Sequence, residues 1–228
     1  MKLDVLYADN HLLAVVKLAG EPVVPDETGD RSLLERAKEW LARERSKPGA
    51  VFLGVVHRLD RPVSGVVLFA CTSKAAARLS EQFRTRSARK LYFGVSERAP
   101  REAQGELEQW LVKDERNNTV RAVAAGTSGA QRAHTRWRVA GRAEHGYQLD
   151  LEPLTGRPHQ LRVACASIGA PLLGDLKYGD RVGLSDRSLA LHAAQLEVEH
   201  PTLREPRVLR CLAPDTPWWS WRRERGSE

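Results

Sequence analysis

The sequence predicts a mixed α+β protein built on a largely antiparallel sheet with a few flanking helices. Short apolar runs bounded by turn residues outnumber the segments with helical periodicity. Those runs rarely alternate with helices, so a βαβ rhythm is missing. At 228 residues, 42% hydrophobic and 29% charged, the chain can bury a real core and has ordinary globular composition.

Two strands open the chain, Leu3–Tyr7 and Leu12–Lys17, with a turn at Asp9-Asn10. A Pro-, Gly- and Asp-rich loop (Pro22 to Asp30) precedes a helix that Ser32 caps, with Glu35 three residues on as a capping box. Leu33, Ala37, Trp40 and Leu41 share one face of it, and Pro48-Gly49 ends the unit. Val51–Val56 reads as a buried strand, HRLDRPVSG (57–65) as a loop, and Val66–Ala70 as the next strand. A second helix begins at Ser73, with Ala76, Leu79, Ser80 and Phe83 on one stripe and Lys74, Arg78, Arg84 and Arg86 around it.

Strands then dominate: Lys90–Val95, Leu107–Val112, Val120–Ala124, Thr135–Val139 and Tyr147–Glu152, with a hairpin turn at Glu115-Arg116-Asn117-Asn118. A third helix is expected over Pro158 to Ser167, closed by Gly169-Ala170-Pro171. Strands Ala190–Glu197 and Arg207–Leu212 lead into a Trp- and Arg-rich tail from about 215 to 228. No boundary cuts the chain, so 1–228 reads as a single domain.

Lys and Arg outnumber Asp and Glu by 36 to 29, a net charge of +7 and a pI near 9.6. That excess favours a polyanionic partner without identifying one. Cys71, Cys165 and Cys211 have no CxxC spacing and fit reduced, buried thiols. Asp4, Asp9 and His11 interrupt the N-terminal apolar residues, and eighteen apolar residues never run together, so the expected location is the cytoplasm, away from membranes. Seven scattered histidines form no HxxxH or HxH pair, and phosphate-loop and dinucleotide fingerprints are missing. Neither metal nor cofactor is therefore expected. Lacking a coiled-coil repeat, the chain is expected to be a monomer.

Three segments carry candidate chemistry. In HRLDRPVSG, Arg58 and Arg61 flank Asp60 and would hold it ionised as a nucleophile or base; a solvated turn is the plainer reading. In TGRPHQLR (155–162), Arg157 and Arg162 either decorate a basic helix face or serve a buried carboxylate or a phosphate, and His159 reads as structural. Lys90 and Tyr92 share a strand face, and Tyr92 is either a core aromatic or a platform for a base.

Together these blocks resemble the RluA-type family of RNA pseudouridine synthases. Its HRLD-x-x-[TS]-SG signature corresponds to His57–Gly65, its K-x-Y block to Lys90-Leu91-Tyr92 within Lys90–Val95, and TGR-x-HQ[IL]R to Thr155–Arg162. A GD-x-x-YG pattern follows within Ile168–Gly179, and LHA-x-x-L-x-x-x-HP matches Leu191–Pro201. The order is the family's, and the blocks span almost the whole chain.

The resemblance implies a pseudouridine synthase fold: a bisected, mainly antiparallel sheet flanked by helices, with a central cleft. It implies isomerisation of uridines in ribosomal or transfer RNA, with no cofactor. By the same resemblance Asp60 is the nucleophile, Tyr92 the aromatic that stacks on uracil, Arg162 the cation paired with Asp60, and Arg58 the residue that fills the gap left by the flipped nucleotide. His57, Lys90, Arg157 and His159 lie in the same blocks and are expected to contact substrate. A retired RNA-binding module on the same fold is the rival reading; an intact Asp60, Tyr92 and Arg162 argues against it.

Departures are few. Val63 stands for the usual Thr or Ser, Pro158 fills a variable position, and Cys165 replaces a frequent Leu. The family's frequent S4 RNA-binding module has no counterpart, the pattern beginning by residue 3. RNA affinity is then expected from the catalytic domain, with the basic Lys74–Arg89 segment and Trp218–Arg223 as candidates. For that tail, packing on the sheet is the plainer expectation.

Overall fold

A computed structural model describes residues 2–46, 51–179 and 181–219. The chain divides into two compact units, residues 1–89 with 193–211, and residues 90–192 with 212–228.

In the first unit, β1 (Val5–Ala8) and β2 (Leu12–Lys17) form an antiparallel hairpin. Its turn is an Asx turn, in which Asp9 Oδ1 accepts from the amides of His11 and Leu12, each at 2.7 Å. Helix α1 (Leu33–Glu44) starts on the expected capping box: Ser32 Oγ accepts from the Glu35 amide while Glu35 reaches back to the Ser32 amide. Leu33, Ala37 and Leu41 are its buried stripe. The expected stop at Pro48-Gly49 lies outside the described residues.

The apolar run 51–56 departs from expectation. Only Gly54–Val55 (β3) is strand, neither residue is fully buried, and Phe52 is exposed. The ladder stops because His57 replaces it: its Nε2 accepts the Leu68 amide at 2.9 Å. Strand β4 (Ser64–Ala70) is buried at all seven residues, which explains the unbroken apolar run from Val66 to Ala70. Thr72 caps α2 (Ser73–Thr85), whose buried stripe is Ala75 and Leu79 with Phe83 packed beside them. Ser80 is exposed, so the face is rotated from the expected one. The strand order is β1-β2-β4-β10, with β11 (Pro206–Arg210) on β10 (Leu191–Glu199, in this unit from Ala193) and β3 on β4.

The second unit is an antiparallel sheet ordered β5-β9-β8-β6-β7: β5 (Arg89–Ser96), β6 (Gln104–Asp114), β7 (Thr119–Val123), β8 (Gln131–Ala143) and β9 (Gly146–Pro153). Asp114 pairs with Thr119 across the expected hairpin. Helix α3 (Gln160–Ser167) begins two residues later than the sequence suggests and buries six of its eight residues, including Arg162. Trp218 and Trp219 pack against Val95 and Ala190, so this part of the tail belongs to the core. Trp221, Arg222 and Arg223 lie outside the described residues. All three cysteines are buried, and none forms a disulfide among the described residues.

Candidate active site

The Asp60 loop is held from several directions within the first unit. His57 takes the Leu68 amide and stacks on Phe83, with ring centroids 4.9 Å apart. Leu59 is buried, Arg58 is exposed and Asp60 is half-buried. A turn closes where the Val63 amide donates to the Asp60 carbonyl at 3.0 Å. Gly65 ends the loop at φ 128°, where a Cβ would sit 2.3 Å from the Ala193 carbonyl oxygen. No side chain fits there. Just past Asp60, the Arg61 guanidinium binds Asp30 at 2.6 Å, Asp26 at 2.9 Å and the Thr28 hydroxyl. The Pro22–Asp30 loop therefore clasps the turn.

Lys17 is one residue that sequence reasoning missed. Its side chain is fully buried, and its ammonium donates to the carbonyls of Leu18 (2.9 Å), Arg61 (2.9 Å) and Val63 (2.7 Å). Two of those acceptors belong to the Asp60 loop. Burial pulls Lys17 down to about 7, against the opposing carboxylates of Glu21 and Asp60. The sequence signal was faint: one Lys at the end of an apolar strand.

That depression has a measurable consequence. Between pH 7 and the ordinary lysine value of 10.5, the unfolded chain holds a proton that the folded chain has released. Stability contributed by Lys17 therefore rises with pH in this window, by up to about 1.4 kcal/mol per pH unit. Urea unfolding at pH 7.5 and 9 is expected to show the wild type gaining about 1–2 kcal/mol relative to Lys17→Met. A constant difference would contradict it.

In the second unit, Gln160 organises the TGRPHQLR segment. Its Oε1 accepts from the Thr155 hydroxyl (2.6 Å) and the Arg157 amide (3.0 Å), while its Nε2 donates to the His134 carbonyl and to Thr135 Oγ1. The Arg157 Nε donates to the Arg132 carbonyl at 3.0 Å. Lys90 reaches the Thr155 carbonyl at 3.1 Å, and burial pulls its ammonium down to about 8. Tyr92 follows two residues later on β5, paired in register with Leu151, and is half-buried.

His159 occupies the left-handed region at φ 49° and lies 2.6 Å from the Tyr178 hydroxyl through Nδ1. Arg162 makes a buried two-pronged ion pair with Asp175, Nε to Oδ2 at 2.8 Å and Nη2 to Oδ1 at 2.7 Å. Sequence reasoning gave Asp175 no role, although it falls in the GD-x-x-YG block. A cavity of about 520 Å³ in this unit opens on the Leu91 face of the sheet, opposite Lys90 and Tyr92. It is lined by the ion pairs Glu106–Arg136–Glu152 and Arg138–Asp150, three carboxylates against two guanidiniums, a wall unsuited to a polyanion.

His57, Arg58 and Asp60 thus come together on one loop of the first unit, and Lys90, Tyr92, Arg157, His159 and Arg162 sit in the second. Among the described residues no group of three or more His, Cys, Asp and Glu side chains is placed to hold a metal. No described helix is long and apolar enough to cross a membrane.

The fold is that of pseudouridine synthase domains. A solved structure titled human RNA pseudouridylate synthase domain containing 4 superposes with a TM-score of 0.77 at 25% identity, covering 93% of this chain and 89% of that one. At the sequence level the RNA pseudouridylate synthase family model matches residues 11–167, and the chain belongs to that family. A relative from Yersinia pestis, a dual-specificity RNA pseudouridine synthase, is 33% identical over 92% of this chain and 98% of its own length. An uncharacterized RNA pseudouridine synthase of Synechocystis is 32% identical over 93% of this chain. The chain spans 65% of that relative's length.

Proposed function

We propose that this protein is an RNA pseudouridine synthase acting on uridines of ribosomal or transfer RNA. The observation that carries the reading is the Asp60 loop, which is held by a buried ammonium, a histidine-captured strand amide and an arginine clasp. A carboxylate presented on so constrained a turn suits a nucleophile that must meet one carbon in one orientation. The name of the Yersinia relative supports more than one RNA as substrate class.

The chemistry balances without an outside reagent. The bond between uracil N1 and ribose C1′ breaks, the ring turns, and C5 joins C1′. N1 gains a proton and C5 loses one. We assign Asp60 as the nucleophile and Tyr92 as the aromatic that stacks on the ring, where such contacts are worth about 1–3 kcal/mol. Arg162 serves as the cation for Asp60, and Arg58 occupies the space of the extruded nucleotide. His57, Lys90, Arg157 and His159 shape the substrate-binding surfaces around them. The protein works as a cytoplasmic monomer with no cofactor.

Purified protein is expected to release tritium from RNA carrying 5-tritiated uridine, and deleting the gene should remove specific pseudouridines from total RNA. RNA binding without tritium release would mark a binding module instead.

A further inference from the structure

We infer that Asp175 is a positioning residue for the reaction: it fixes the direction of the Arg162 guanidinium and shares its charge. This rests on the role proposed above for Arg162. The Arg162 and Asp175 side chains are 6% and 1% exposed, so both charges are out of water. The carboxylate engages the Nε–Nη2 edge with two parallel hydrogen bonds of 2.8 and 2.7 Å. A planar guanidinium held along one edge has no remaining freedom to rotate, so the direction in which Nη1 presents its hydrogens is set.

The surrounding segment serves the same end. The Tyr178 ring lies 5.0 Å from the guanidinium carbon. Its hydroxyl accepts the Val120 amide at 2.7 Å and meets His159 Nδ1 at 2.6 Å, which pins the ring. Asp175 is held by the Lys177 amide on Oδ1 at 3.3 Å and by its own amide on the Leu172 carbonyl at 3.1 Å. Gly174 adopts φ 78°, where a Cβ would come within 2.8 Å of the Ser188 carbonyl and of Leu184. Residues 174–178 are therefore a built cradle for one arginine.

Charge sharing matters as much as direction. A buried arginine with a nucleophilic carboxylate as its sole counter-charge would hold that carboxylate as an inert ion pair. With Asp175 already engaged, an arginine in the role proposed above would orient its nucleophilic carboxylate without quenching it.

Asp175→Asn tests this, because the amide keeps the shape but offers an NH₂ where one acceptor oxygen stood. Single-turnover tritium release is expected to fall about 10²-fold, as for a small misplacement of a reacting group. The RNA dissociation constant should stay within about threefold, a split that loss of folding would not produce. In an Arg162→Lys background, which cannot make the two-pronged pair, the added Asn should cost little further rate. A wild-type rate in Asp175→Asn, or losses that multiply in the double variant, would overturn the inference. Should Asp175→Asn fail to fold, Tyr178→Phe replaces it, with an expected loss of about tenfold in rate at unchanged RNA affinity; an unchanged rate there also overturns it. If the wild-type protein itself releases no tritium, the proposed function fails rather than the role of Asp175.

Discussion

Asp60→Asn is expected to abolish pseudouridine formation, lowering the single-turnover rate by at least about 10⁴-fold. The substitution removes the proposed nucleophile while leaving the loop's supports in place. Lys17 binds the carbonyls of residues 61 and 63, His57 binds the Leu68 amide, and Arg61 binds Asp26 and Asp30; none of these contacts uses the Asp60 carboxylate. Melting temperature and RNA affinity should therefore stay close to wild type. Tritium release from labelled RNA checks the rate, and thermal unfolding checks the fold. Turnover at the wild-type level in a folded Asn variant would remove Asp60 from the mechanism.

Arg162→Met is expected to cost both activity and stability. The family resemblance implies Asp60 as the partner of Arg162, and the structure pairs Arg162 with the fully buried Asp175. Methionine would leave that carboxylate desolvated and unpaired, a change that typically costs about 3–5 kcal/mol. Thermal or urea unfolding should register this loss. Arg58→Ala makes the contrast. Its side chain is exposed, so stability should hardly change, and the defect should depend on the RNA. Single-turnover rates are expected to fall strongly on a structured RNA and less on a short single-stranded one, where extrusion costs less. Equal losses on both RNAs would remove the flipping role, and an unfolding midpoint of Arg162→Met equal to wild type would remove the buried pair.

Elements governed by local physics were legible in the residues. The Ser32–Glu35 capping box needs only a spacing of three, and α1 begins there as expected. The Asp9 turn depends on a side chain bonding amides two and three residues on. The Val66–Ala70 run of β4 is apolar throughout because a central strand is buried on both faces. Where a distant group intervened, the reading slipped. The 51–56 run has the composition of a buried strand, but His57 captures the Leu68 amide and the ladder ends at Val55. Helix α3 starts late because Gln160 is spent on Thr155, His134 and Thr135, with His159 left in the left-handed region before it.

The candidate site divides in the same way. The resemblance to the family's motifs singled out Asp60, Tyr92, Arg162 and Arg58, since each sits in a contiguous block whose residue types and order are visible along the chain. The supports of those residues are contacts between distant positions. Lys17 meets carbonyls 44 and 46 residues away, and Arg162 meets Asp175 thirteen residues on. A linear sequence shows which groups a chain carries and how closely they follow one another. Which ammonium is taken out of water to hold a loop, and which carboxylate is buried against an arginine, is decided only by folding, because desolvation and hydrogen-bond geometry come into being with the packed tertiary structure.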